Sequence, residues 1–133
     1  MTQEEKQLLL KDLCARLPYN VICKLSVKDV NVSITVQLDL GGLEHFIVGT
    51  MDVLPYLRPM SSMTDEEKKK LKEISDEYLD QWMSANDPSV RWKLDANNSS
   101  KRAEFYNSHY LDWNGLIEKS LALEAPADMY KTS

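Results

Sequence analysis

This chain of 133 residues holds only two histidines, His45 and His109, and two cysteines, Cys14 and Cys23, so the chemistry open to it is narrow. A Cys–His nucleophile needs the imidazole within hydrogen-bond reach of the thiol. No spacing in the sequence ties either cysteine to either histidine. Two histidines at unrelated positions exclude histidine-rich metal sites and the two-histidine motif of zinc proteases. Four glycines form no phosphate-cradling loop, nucleophile elbow or dinucleotide fingerprint. Asp65, Glu66, Glu67, Glu73, Asp76, Glu77 and Asp80 are interleaved with lysines, the pattern of a solvated helix face. The sequence therefore reads as having no catalytic residue, no metal site and no cofactor. A small hydrolase assembled from distant positions is the last alternative.

Other residues are suited to binding. Phe105, Tyr106, His109, Tyr110 and Trp113 recur at helical steps, with Lys101 and Arg102 just ahead of them. Such rings either stack on bases and sugars or fill a core. The core reading is preferred, because Leu116, Ile117 and Leu121 offer a matching apolar face; His109 is then partly buried and hydrogen-bonded. Tyr56 and Arg58 sit between Pro55 and Pro59, a stiff segment able to present side chains at low entropic cost. The preferred role of Arg58 is to satisfy carbonyls where strand turns into helix. The candidate binding residues are Tyr56, Arg58, His109 and Trp113. A nucleic-acid alternative uses the basic and aromatic strip Arg91, Trp92, Lys93, Lys101 and Arg102. Its discriminator is a steep loss of binding with salt.

The elements that must position these residues start from two capping boxes. Thr2 with Glu5 opens a helix to about Arg16, with Leu9, Leu10, Leu13, Cys14 and Leu17 on one face, and Pro18 stops it. Thr64 with Glu67 opens a second helix carrying a stripe of Leu71, Ile74, Tyr78 and Trp82. Its i,i+4 pairs Asp65–Lys69, Glu66–Lys70 and Lys72–Asp76 each add a few tenths of a kcal/mol at most.

Between them, Tyr19–Leu25 alternates as a strand and Lys28-Asp29 is a turn. Val30, Val32, Ile34, Val36, Leu38 and Leu40 then point one way along the clearest strand, giving one dry face. Gly41-Gly42 predicts a hairpin into a third strand reaching about Val53. A bulged register pairs Val36 with Phe46 and leaves His45 outward near Gln37. Ser84–Ser100 reads as a long loop with a short extended piece at Val90–Leu94. Helices are expected at about Lys101–Leu111 and Trp113–Leu123.

The expected fold is α+β: an N-terminal helix on a small antiparallel sheet of about three strands, followed by a mainly helical second half. One domain covers 1–133, with helix and sheet over 1–54, a proline-flanked connector over 55–63, a helical part over 64–124 and a loose tail over 125–133. Hydrophobic residues at 43% and charged ones at 28% are globular values. The net charge of −5 argues against nucleic acid as the default partner. The acidic start and short apolar runs disfavour secretion, and no apolar run approaches membrane-spanning length. Both cysteines are expected to be small buried hydrophobes in a reduced cytoplasm.

Three stretches carry a resemblance: Lys11–Tyr19, Val53–Thr64 and His109–Pro126. Together they resemble small uncharacterised proteins encoded by gut Bacteroides and their phages or prophages. The resemblance implies a cytoplasmic protein of a bacterium or a phage-infected bacterium and transfers no catalytic residue. With no catalytic constellation, the expected function is a non-enzymatic interaction or accessory role, with another protein as partner.

Overall fold

The computed structural model describes residues 1–130. In chain order the elements are α1 (Gln3–Arg16), β1 (Ile22–Val27), β2 (Ser33–Gln37), α2 (Leu40–Val48), β3 (Met51–Leu57), α3 (Asp65–Ser84), α4 (Pro88–Ser108) and β4 (Leu123–Glu124). The class is α+β, with four helices and a four-stranded mixed sheet among the described residues. Strand order is β2-β1-β3-β4; β1 runs antiparallel to both β2 and β3, and the short β4 joins β3 in parallel.

Both capping boxes form. The Thr2 hydroxyl accepts from the Glu5 amide at 3.1 Å while the Glu5 carboxylate accepts from the Thr2 amide at 2.8 Å. Thr64 and Glu67 repeat the exchange at 3.2 and 2.8 Å. The buried face of α1 is rotated from the expected stripe. Leu9, Asp12, Leu13 and Arg16 face inward, and Cys14 is exposed. Asp12 and Arg16 share that face because they neutralise each other there, which is the condition for burying charge.

The Gly41-Gly42 hairpin does not form, and neither does the pairing of Val36 with Phe46. Asp39 caps α2 by accepting from the Gly42 amide at 2.8 Å, and Gly49 ends it at φ +85°. A side chain at position 42 would meet Leu25 Cδ2 at 3.2 Å and Leu38 Cδ1 at 3.3 Å, so glycine there lets the helix lie close against the sheet. Topology supplies the reason for a helix. β3 pairs with the far edge of β1 and not with β2, and a chain crossing over β1 needs a connection longer than a tight turn. Phe46 is buried and His45 exposed, as the alternation suggested, but on a helix.

The second half departs from expectation at two places. The segment read as a loop from Ser84 is only a short connection, since α4 begins at Pro88. Asp87 caps it through the Ser89 amide at 3.0 Å, and the proline at the first helical position lacks only an amide that would be unpaired there. Residues 113–122 form turns instead of a helix. The buried Asp112 carboxylate accepts from the Leu116 and Ile117 amides at 2.8 and 3.0 Å, diverting donors that a helical ladder would use.

The core lies between the sheet and α1 with α2, and the turns close it. Leu9, Leu13, Cys23, Leu43, Val53, Leu57, Leu116 and Leu121 are its buried centre. The tail expected to be loose is docked as far as Tyr130. That phenol donates to the Tyr56 carbonyl at 2.7 Å, accepts from the Ile22 amide at 2.9 Å, and its ring stacks on Tyr110 at 3.7 Å. Residues 131–133 lie outside the described residues.

Candidate functional site

Arg58 is placed by the end of β3 and turned inward. Its Nη1 and Nη2 each donate to one Glu67 carboxylate oxygen at 2.7 Å, a bidentate pair, and also to the His109 and Ser62 carbonyls at 3.2 and 3.0 Å. Glu67 is the residue that closes the cap of α3. One carboxylate therefore links the strand, the start of α3 and the end of α4. The Arg58 guanidinium holds that carboxyl down to about 2, aided by the Thr64 amide. The main chain is clamped as well: the Arg58 amide donates to Tyr110 at 2.7 Å, and the Asp112 amide to Arg58 at 2.8 Å.

His109 joins the same cluster. Its Nε2 lies 4.0 Å from Glu67. Its Nδ1 is 2.8 Å from the Phe105 carbonyl and 3.2 Å from the Ser108 hydroxyl. The structure thus brings Arg58 and His109 together, in a clasp whose guanidinium is already occupied. Tyr56 and Trp113 stand apart from it. Tyr56 contributes its carbonyl to Tyr130. Trp113 donates to Asn107 Oδ1 at 3.0 Å, stacks on Tyr106 at 5.6 Å and remains 40% exposed. Phe105 is the buried ring of the aromatic group, packed against the His109 ring at 4.4 Å.

A second clasp was missed by sequence reasoning. Arg16 Nε donates to Asp12 Oδ2 at 2.8 Å and Nη2 to the Leu111 carbonyl at 2.7 Å, while Asn114 Nδ2 donates to Asp12 Oδ1 at 2.9 Å. Both charged side chains are fully buried. The signal was present in the spacing of Leu9, Asp12, Leu13 and Arg16, which is one helical face with a matched ion pair at i,i+4.

The basic and aromatic strip does not assemble on one surface. Val90–Leu94 is helical, and at about 100° per residue Arg91, Trp92 and Lys93 point in three directions. The Arg91 guanidinium lies over the Trp82 ring at 4.2 Å, and Arg102 donates to Ser75, so both turn into the seam between α3 and α4. Lys101 Nζ approaches Glu77 at 3.9 Å. Trp92 points outward and is 71% exposed.

The chemical groups are otherwise engaged. The Cys23 thiol is pushed up to about 12, by burial first and by the Asp12 carboxylate second, so it is protonated near neutral pH. His45 Nδ1 lies 2.8 Å from the Thr50 hydroxyl. Among the described residues no three His, Cys, Asp or Glu side chains are grouped to hold a metal ion. An open depression of about 410 Å³ is lined by Lys6, Lys28, Phe46, Met51 and Asp52, with neither histidine nor cysteine. No described helix is long and apolar enough to cross a membrane.

What the fold leaves open is the face of β2. Ile34 lies opposite Leu25 and Val36 opposite Cys23, and residues directly opposite share one side of a sheet. This is the side on which α2 packs, since Gly42 sits against Leu25 and Leu38. Leu25 is 6% exposed, but Ile34 is 51% and Val36 39%. The strand expected over Val30–Leu40 is confined to Ser33–Gln37, with Val30 and Val32 in the turn before it and Leu40 opening α2, all three exposed; the expected direction holds at Ile34 and Val36, where the face is uncovered. Of that row only Leu38 is buried. Large contiguous apolar surfaces are rare on natural monomers and mark protein, membrane or ligand contacts.

Comparison of the chain with protein-family models, with curated proteins and with solved structures found no match.

Proposed function

We propose that this protein is a non-enzymatic interaction protein that docks another protein on the open side of β2 and the start of α2. The burial pattern carries the reading: the apolar row of β2 points to the packed side of the sheet, yet no helix of the described chain covers it. Folding gains little from a side chain left half in water, because hydrophobic stabilisation follows the area removed from it. A partner gains that area on binding. The inward-turned Arg58 and the thiol of Cys23 leave little room for a catalytic reading, and the dispersed residues of the basic and aromatic strip give the nucleic-acid reading no common surface. The two free cysteines suit a reducing compartment. With the resemblance to proteins of gut Bacteroides and their phages, they support action in the cytoplasm of a bacterium or a phage-infected bacterium.

The experiment compares tagged parent with Ile34→Lys/Val36→Lys in bacterial and phage-infected lysates. The parent is expected to retain a defined protein, and the folded variant to retain at least about tenfold less of it, the equivalent of 1.4 kcal/mol. Equal recovery by the two proteins, or a parent that retains nothing in any lysate, contradicts the proposal.

A further inference from the structure

We infer that the open edge of β2 pairs with β2 of a second copy of this chain, joining two sheets across a twofold axis at Thr35. The inference goes beyond the docking reading above: it concerns the main-chain edge of β2, which lies beside the apolar face proposed there for another protein. β2 is an outer strand of the sheet. The Val27 amide donates to the Val32 carbonyl, and the Leu38 amide to the Val21 carbonyl, so the even-numbered residues of β2 carry its ladder to β1. By the same alternation the amides and carbonyls of Ser33, Thr35 and Gln37 point away from the sheet. Edge strands are ordinarily protected by a charge, a proline, a bulge or a covering element. Val30–Leu38 contains no charged residue and no proline. Its pairing with β1 runs unbroken from Ser33 to Gln37, and all five of those residues are exposed.

Self-complementarity selects a second copy. A twofold axis through Thr35 sets that residue against its own counterpart, Ser33 against Gln37, and Ile34 against Val36. Apolar side chains then meet on the side shared with the core, and hydroxyl and amide groups meet on the other. The protein carries a net charge of −5, and an uncharged strand lets two acidic copies meet without opposing carboxylates. The arrangement is isologous, so it closes at two copies and uses up both free edges.

The test is sedimentation equilibrium of the full chain from low to high micromolar concentration, beside the variant Thr35→Pro. Proline at position 35 removes an outward amide and leaves the β1 ladder untouched. The parent is expected to form a dimer, and the variant to associate at least about tenfold more weakly, because two hydrogen bonds are lost across the axis. Hydrogen exchange of the parent keeps the proposal testable should the proline variant fail to fold. The Thr35 amide is expected to gain protection as concentration rises. A dimer that forms equally with proline at 35, or whose Thr35 amide stays unprotected, overturns the pairing. A parent that stays monomeric throughout overturns it too. In that case the docking surface itself still stands if Ile34→Lys/Val36→Lys loses the partner that the parent retains from lysate, and falls if it does not.

Discussion

Replacing Asp12 with alanine is expected to lower the stability of the fold by about 3–5 kcal/mol, the usual cost of leaving one member of a buried ion pair alone. Arg16 would keep its bond to the Leu111 carbonyl and lose the carboxylate that neutralises it, at a place with no access to water. Asn114 would lose its acceptor at the same time. Because these bonds tie α1 to residues 111–114, the loss spreads from the helix to the turns that close the core. A small domain has only about 5–15 kcal/mol in total, so the change is readily measured as a lower urea midpoint at unchanged slope. The double variant Asp12→Leu/Arg16→Met is expected to lose less than the single one, since apolar groups of similar volume carry no desolvation cost. A loss below about 1 kcal/mol for Asp12→Ala, the range of an exposed pair, would count against the buried clasp.

The second large effect is on acid stability. Glu67 is held near 2 in the folded protein, against an ordinary carboxylate value of 4.5, by the Arg58 guanidinium first and the Thr64 amide after it. The unfolded chain therefore takes up this proton at higher pH than the folded one. The stabilisation is complete above about pH 4.5 and disappears as the pH falls toward 2; the shift corresponds to on the order of 3 kcal/mol. Glu67→Gln keeps the shape and removes the charge. Urea unfolding of parent and variant across pH 2–7 should give two curves that lie furthest apart near neutrality and converge in acid. A gap independent of pH would mean that the Arg58–Glu67 bond contributes shape alone.

Much of the fold could be read from local chemistry. Thr2 with Glu5 and Thr64 with Glu67 announced two helices, Pro18 announced an end, and the alternation around Cys23 announced β1. The two capping boxes close their hydrogen bonds within three residues and so depend little on distant partners. The errors came where a distant choice decides. Gly41 and Gly42 suit a hairpin locally, and only the placement of β3 beyond β1 turns that segment into a helix. Asn97 to Ser100 are weak helix formers, but they lie within α4, whose inward side packs along α3 through Arg91 and Arg102. Residues 113–122 look amphipathic, but Asp112 takes the amides first. The ion pair of Asp12 and Arg16 stayed hidden because charge is assumed outward until a partner is seen. The dry face of β2 was legible in direction, and its lack of cover was not, because cover is a property of α1 and α2.

If Val32, Ile34 and Val36 serve association, as proposed, they contribute little to folding. Urea unfolding of Ile34→Ser/Val36→Ser, at a concentration where the chain is monomeric, tests it most directly. Exposed substitutions stay within about 0.5 kcal/mol, so the two proteins should unfold together. If the row were core, two such truncations would together cost about 4 kcal/mol or more, and a loss of that size would contradict the account.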